Sequence, residues 1–431
     1  MESAPAPEVF HTHDIHMKLD IDFVRTRFDQ LQDDPEFVFC SSAGGSYVAN
    51  PVNSIMEHYN AHTRVQPYER YSPSSQAGEA MDRAIHGWAA ALNISPSELT
   101  IGPSTSMNTY VMAQSIGAAL SEGDEIIVTN QDHEANSGAW RRKAEEKGAR
   151  IRQWSVDAHS GLLDPGDLDE LLTEKTQWVF FPHCSNIVGA VNPVREITDR
   201  IRQRSRARVF VDAVAYAPHH ICDLRSLGID GYAFSLYKVY GPHQSLMYVN
   251  RDLGNALTPQ CHYFNTGQAR QWFNPAGPQH AEVAACAGVL DYFNDLHRHH
   301  YGDELHPAAD ELTTMQNLHH LIREQESHLA EPILDFLDNA ANVRLIGKPH
   351  IRDDDRVPTI AFQPLKQSAR EVSSKMQDMN VGCESGHFYA HRLINDLGID
   401  PEEGVVRISL VHYNRREDVE KILIALDRAL H

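Results

Sequence analysis

The sequence predicts an α/β protein: a large domain on a mostly parallel sheet of the seven-stranded type, then a small α+β domain. Three observations carry that expectation. Short apolar runs alternate with helix-length segments between about Ser97 and Gly288. Beyond that point the strands become few and the helical stretches long. At 431 residues, the chain is too long for one ordinary core.

Residues 1–35 read as an N-terminal arm and helix. The first 16 or so carry prolines and no periodicity, and a helical pattern follows over Ile21 to Leu31. Residues 36–290 form the expected large domain. Phe37-Val38-Phe39 reads as a short strand and Ser41 to Gly45 as a loop. Tyr59 to Gln76 is polar and reads as a loop at a site or a subunit contact. Strands are then expected over Glu125 to Val128, Ile151 to Ser155, Trp178 to Phe181, Arg208 to Val211, Tyr232 to Phe234 and Leu246 to Val249. The intervening helices run over Ser106 to Leu120, Ala135 to Lys147 and Pro193 to Arg204, with another after Pro278. Short strands spaced by such helices imply parallel pairing with both faces covered. Residues 291–431 form the small domain, with strands at Val343 to Ile346, Thr359 to Phe362 and Val405 to Ser409. A loop surrounds Gly386, and an amphipathic helix ends the chain.

The formal net charge of -21 argues against nucleic acid or an anionic membrane surface as a partner. No apolar run is long enough to span a bilayer, and no secretory signal is evident. The six cysteines are scattered without a C-x-x-C pair, which suggests reduced thiols in a cytoplasm. The histidines cluster loosely, at His11, His13 and His16 and at His297, His299 and His300. None has a carboxylate or cysteine at a metal-site spacing, so no metal is expected.

In parallel sheets, ligands bind beyond the carboxyl ends of the strands. His133, Asn186, Asp212 and Lys238 each lie just past an expected strand. A strand-end aspartate followed by a strand-end lysine suits an enzyme of pyridoxal 5'-phosphate (PLP). The lysine bonds the cofactor aldehyde, and the carboxylate keeps the pyridine nitrogen protonated. Gly102-Pro103-Ser104-Thr105-Ser106 is a small polar loop opening a helix, which makes a phosphate cradle or an ordinary serine cap. His133 offers a flat ring to stack on the pyridine, or is a loop histidine. Asn186 offers a hydrogen bond to the phenolic oxygen, or is a turn residue.

Together these motifs resemble the class V aminotransferase and cysteine desulfurase family of fold-type I PLP-dependent enzymes. The resemblance runs from about Phe37 to the C-terminus. It implies that Lys238 carries the cofactor and that Asp212 pairs with the ring nitrogen. It puts the phosphate on Ser104, Thr105 and Ser235, and the substrate α-carboxylate on Arg407. A guanidinium fork suits that carboxylate. The resemblance also implies a homodimer with the site at the subunit interface, where Gly277 occupies a phosphate-contact position without the usual threonine.

Three departures bear on the reaction. Tyr237 stands before the lysine in place of histidine, with a hydroxyl that suits the phosphate. Ala215 replaces a glutamine that contacts the cofactor. In the loop Cys383-Glu384-Ser385-Gly386-His387-Phe388-Tyr389, the position of the desulfurases' catalytic cysteine holds Tyr389, and the arginine position holds Glu384. Glu384 and His387 are therefore expected beside the substrate. Glu384 either favours a substrate with a distal cation or pairs with a nearby arginine. The function expected is PLP-dependent chemistry at an amino acid's α-amine. First in rank is carbon–sulfur cleavage of a cysteine derivative. Transamination follows, then persulfide formation on Cys383. A binding protein on the same scaffold is the alternative of another class, which intact Lys238, Asp212 and Arg407 argue against.

Overall fold

Alternating apolar runs and helices close into one seven-stranded sheet in the computed structural model, which describes residues 17–305, 310–352 and 354–431. The proposed arm over residues 1–16, with His11, His13 and His16, lies outside the described residues. In chain order the strands are β1 (Val38–Phe39), β2 (Leu99–Gly102), β3 (Glu125–Thr129), β4 (Arg150–Trp154), β5 (Thr176–Pro182), β6 (Arg208–Asp212) and β7 (Gly231–Ser235). They continue as β8 (Ser245–Val249), β9 (Val343–Ile346), β10 (Thr359–Pro364), β11 (Val381–Gly382), β12 (Glu384–Gly386) and β13 (Val405–Ser409).

The large sheet has the order β2-β8-β7-β6-β5-β3-β4. Pairing from β4 through β7 is parallel, and β8 runs antiparallel to both β7 and β2. The central strands are buried along nearly their whole length, as layers on both faces require. Trp140 from the helix Gly138–Lys147 stacks on Phe180 of β5 at 4.4 Å on one face. Trp88 of the helix Ser72–Ala91 meets the edge of Phe234 from the other. The edge strand β4 is the wetter one and carries Arg150, Arg152 and Gln153.

The second sheet has the order β12-β13-β10-β9, all antiparallel. Its core gathers Ile333, Leu334 and Leu337 with Ile360, Phe362, Val406, Ile408, Ile422 and Leu426. The turn after β5 is packed directly against it. Gly189 has φ +70, and a Cβ there would lie 2.3 Å from the Thr359 carbonyl oxygen, so only glycine suits this crossing.

Four elements differ from the sequence expectation. The helix over Ile21 to Leu31 is two short ones, Ile21–Arg25 and Gln30–Asp33. The intervening turn turns to Asn50 instead. The Asn50 amide donates to the Arg27 carbonyl at 2.9 Å, and its side chain bonds the Asp29 carboxylate at 2.8 Å. The segment Tyr59 to Gln76 is a loop only over its middle, residues 63–71, because its two ends belong to the helices Asn50–His62 and Ser72–Ala91. Each helix has a proline in its first turn, the signal that marks a helix start. Strand β2 went unread because Leu99-Thr100-Ile101-Gly102 carries only two apolar side chains and runs straight into the Gly-Pro loop. The loop around Gly386 contains β12.

The domain limits also look different in space. Residue 290 lies inside the helix Ala287–Leu305. Strand β1 pairs with β11, so residues 38 and 39 sit on the small sheet's side.

Candidate active site

Five segments bring side chains to one cavity of about 280 Å³, all from the carboxyl ends of large-sheet strands. Ser104 and Thr105 follow β2, His133 follows β3 and Asn186 follows β5. Asp212 ends β6, and Ser235, Tyr237 and Lys238 end or follow β7.

Lys238 closes a single 3-10 turn and is 7% exposed. Burial, reinforced by the Arg407 charge and opposed by Asp212, pushes its ammonium down to about 7. Part of the amine is therefore neutral at neutral pH, the form that attacks an aldehyde. Burial also pushes the Asp212 carboxyl up to about 6, against the Val214 N–H, which donates to it at 2.8 Å, and the Lys238 charge.

At the other end lies a hydroxyl cluster. Thr105 Oγ1 is 2.8 Å from both Ser235 Oγ and Ser245 Oγ. Ser104 caps the helix Thr105–Gly117 by accepting from the Met107 N–H at 3.2 Å. The first-turn N–H groups of that helix have no intrahelical acceptor and point toward this end. Tyr237 also lines it and stacks on His243, with ring centres 4.7 Å apart and planes 6° apart.

His133 accepts the Ala135 N–H at Nδ1, 3.0 Å away. Burial and the Lys238 and Arg407 charges lower its pKa to about 3, so its ring is neutral. Asn186 uses its side-chain N–H on the Phe388 carbonyl at 2.9 Å, and its Oδ1 is buried without a partner among the described residues.

Arg407 of β13 does not itself line the cavity; it comes from the small sheet to contact Asn186, which does, and is 3% exposed. Nη1 donates to the Asn186 carbonyl at 3.0 Å, Nε has no partner, and Phe388 lies 3.8 Å from the guanidinium. Among the described residues no carboxylate pairs with it. A buried cation without an ion pair is a candidate anion-binding group.

The loop after β12 lies against His133 and Asn186, beside the cavity. Phe388 and Tyr389 both have positive φ, at 45° and 59°. Two such residues in succession are strained unless held. Asn186 holds the Phe388 carbonyl, and the Glu134 N–H donates to the Tyr389 carbonyl at 2.8 Å. Arg392 pairs with the Glu134 carboxylate beneath them. Tyr389 is 69% exposed, and its ring centre is 5.2 Å from that of His133. His387 is half-buried on this loop and accepts the Tyr389 N–H at 3.1 Å. Glu384 faces Arg407 across the β12–β13 pair but is exposed and makes no ion pair among the described residues.

Two expected participants are elsewhere. Cys383 is fully buried in the small-domain core, with Sγ 3.6 Å from the Met376 sulfur. Burial pushes its thiol up to about 12, so it supplies no thiolate. Gly277 is exposed, does not line the cavity, and has nothing within 4 Å of where a Cβ would stand. Ala215 does line the cavity, where it offers no hydrogen bond.

Sequence reading missed Cys184, Ser245 and His243. The first two flank or face recognised residues. His243 follows the Gly241-Pro242 turn, and that turn was the available signal. A wider open groove of about 1020 Å³ runs between the helix Val194–Arg204 and the segment near Lys348 and Asp355. Its charges pair with each other, as in Arg195–Asp199 and Lys348–Asp355.

Comparison with known proteins identifies the family and the fold. The family model "Aminotransferase class-V" matches residues 38–320 and 308–422. The Aminotransferase-like protein FGM3 of Gibberella zeae is 33% identical over 95% of this chain and 98% of its own. The Cysteine desulfurase-like protein ustD of Aspergillus flavus is 29% identical over 79% of this chain and 75% of its own. The apo structure of a cysteine desulfurase from Thermococcus onnurineus NA1 has the same fold. Its TM-score is 0.81 at 21% identity, over 96% of this chain and 98% of that one. The chain belongs to the class V aminotransferase family, whose members include cysteine desulfurase-like enzymes.

Proposed function

We propose that this protein is a PLP-dependent enzyme that cleaves the carbon–sulfur bond of a cysteine derivative without using a protein thiol. One observation carries the choice within the family. Tyr389 occupies the loop position of the desulfurases' thiol, and Cys383 is buried in the core.

The cavity suits the cofactor. It has a buried amine, a buried acid and a hydroxyl cradle at a helix start, with an unpartnered Asn186 Oδ1 between them. Lys238 would bond the aldehyde, Asp212 would face the ring nitrogen and His133 the ring plane. Asn186 would face the phenolic oxygen, while Ser104, Thr105, Ser235 and Tyr237 would hold the phosphate. When bound, PLP withdraws electrons from the substrate Cα, which makes its proton removable.

Arg407 would hold the substrate α-carboxylate, which fixes the Cα–H bond relative to Lys238. Released from the cofactor, Lys238 Nζ would take that proton. An amine titrating near 7 suits a general base at neutral pH. The Cβ–S bond then breaks, the thiol leaves, and water completes the conversion to pyruvate and ammonia. Nothing is oxidised or reduced overall. Glu384 and His387, on the same loop, would face the substrate's far end, where an exposed carboxylate favours a cation.

The homodimer implied by the family belongs to this proposal, and any phosphate contact by Gly277 would be made to the second copy. Tyr263 and Phe264 are 86% and 67% exposed, which suits burial against a partner. The free cysteines suit a cytoplasmic enzyme.

Transamination is the second reading, favoured by the likeness to FGM3. The deciding experiment incubates the PLP-loaded protein with cysteine and a panel of S-substituted cysteines, with and without a 2-oxo acid. Pyruvate and ammonia in equal amounts are expected, and the Lys238→Ala variant should produce neither. A new amino acid formed from the 2-oxo acid, without pyruvate release, would establish transamination. Alanine and a protein persulfide would restore the desulfurase reading.

A further inference from the structure

Ser104, Thr105, Ser235 and Tyr237, the side chains proposed to hold the phosphate, are all uncharged hydroxyls. A phosphate monoester there brings up to two negative charges, and hydroxyls and helix N–H groups offset them only in part. Three side chains lining the cavity can be cationic: Lys238, His133 and His243. Lys238 is committed to the aldehyde at the end shared with Asp212. The His133 Nδ1 accepts a backbone N–H, and its ring is buried and neutral. His243 is left, on the side where Tyr237 and Ser104 stand.

Its placement is built. The ring lies flat on Tyr237, 4.7 Å between centres and 6° between planes. Its Nδ1 lies 3.3 Å from the Pro103 carbonyl oxygen, an acceptor that requires a proton on Nδ1. Pro103 directly precedes the Ser104 cap, so the contact ties the ring to the cradle loop. The stacking and that contact together hold the ring edge and leave Nε2 unengaged among the described residues.

We infer that His243 is a phosphate-binding residue of this site, whose imidazolium Nε2–H donates to a phosphate oxygen while Nδ1–H donates to Pro103. The inference rests on the reading that the cavity takes PLP. It goes beyond it by naming the cation that distinguishes PLP from unphosphorylated pyridoxal. Tyr237 would position that ring through stacking as well as offering its own hydroxyl.

The test compares binding of PLP and of pyridoxal, with the bound aldehyde followed by its visible absorbance. Wild type, His243→Ala, His243→Gln and His243→Arg are each stripped of cofactor and titrated with both aldehydes. In the Ala and Gln variants, PLP affinity should fall about five- to tenfold and pyridoxal affinity should stay within twofold. The size reflects one charge-assisted hydrogen bond, discounted for an exposed ring. His243→Arg should recover most of the PLP affinity. An unchanged PLP-to-pyridoxal ratio in both the Ala and Gln variants overturns the inference. An equal loss for both aldehydes also overturns it, because that marks a structural role. If wild type binds neither aldehyde through Lys238, the PLP reading itself fails, and that result is distinct from the other two.

Discussion

Lys238 offers a prediction that needs no cofactor. Its ammonium titrates near 7 in the folded protein against an ordinary value of 10.5, chiefly because it is buried. Holding the ammonium down at about 7 corresponds to a penalty on the charged form of roughly 5 kcal/mol. Its sign follows from proton counting. Between pH 7 and 10.5 the unfolded lysine holds a proton that the folded one has released. The unfolded state therefore binds more protons, and this group's contribution to stability rises with pH. Below 7 the penalty is full, and above 10.5 it is gone. Lys238→Met removes it at every pH, so the variant's advantage over wild type should shrink as pH rises. From about pH 7.5 to 9.5 the shrinkage should be roughly 2.7 kcal/mol. Across that window Asp212, titrating near 6, stays ionised in wild type. For a chain of 431 residues, the entropy of unfolding near Tm is about 0.9 kcal/mol/K, so the gap in Tm should close by about 3 °C. The assay is thermal unfolding of both cofactor-free proteins at intervals through this range. Other groups that titrate there largely cancel in the difference. A gap in Tm that stays constant with pH would refute a buried, depressed Lys238.

Two further outcomes test Cys383 and the turn that carries Phe388 and Tyr389. Cys383→Ala should leave turnover unchanged and cost about 1 kcal/mol of stability, because the thiol only packs in the small-domain core. Paired turnover and thermal unfolding measurements check this, and loss of turnover in a folded variant would make Cys383 a nucleophile after all. Glu134→Ala should raise KM about two- to fivefold with kcat little changed. It removes a half-exposed ion pair to Arg392, worth about 0.5–1 kcal/mol, that steadies the strained Phe388–Tyr389 turn. Steady-state kinetics decide, and a fall in kcat at constant KM would mean that the loop acts in the chemistry.

The parallel sheet and the strand-end residues were legible because both are local. Arg208 to Asp212 and Gly231 to Lys238 each carry their strand pattern and their functional residue in one short window. The helices Asn50–His62 and Ser72–Ala91 were missed because their polar, Tyr-rich stretch outweighed the proline start signals. Arg407 was legible as a residue type in a motif. Its pairing with the Asn186 carbonyl, 221 residues away in sequence, exists only when the two sheets meet.

What the sequence determined by itself is the chemistry available: a lysine, an acid and a hydroxyl loop, each at the end of a strand. What the tertiary structure decided is which neighbouring side chains take part. Cys383 and Glu384 are adjacent, and neighbouring residues in an extended chain face opposite ways. The pairing of Glu384 with Arg407 turns Glu384 outward and Cys383 into the core beside Met376. Composition cannot make that choice, because it follows from which face of β12 the small-domain core needs to bury.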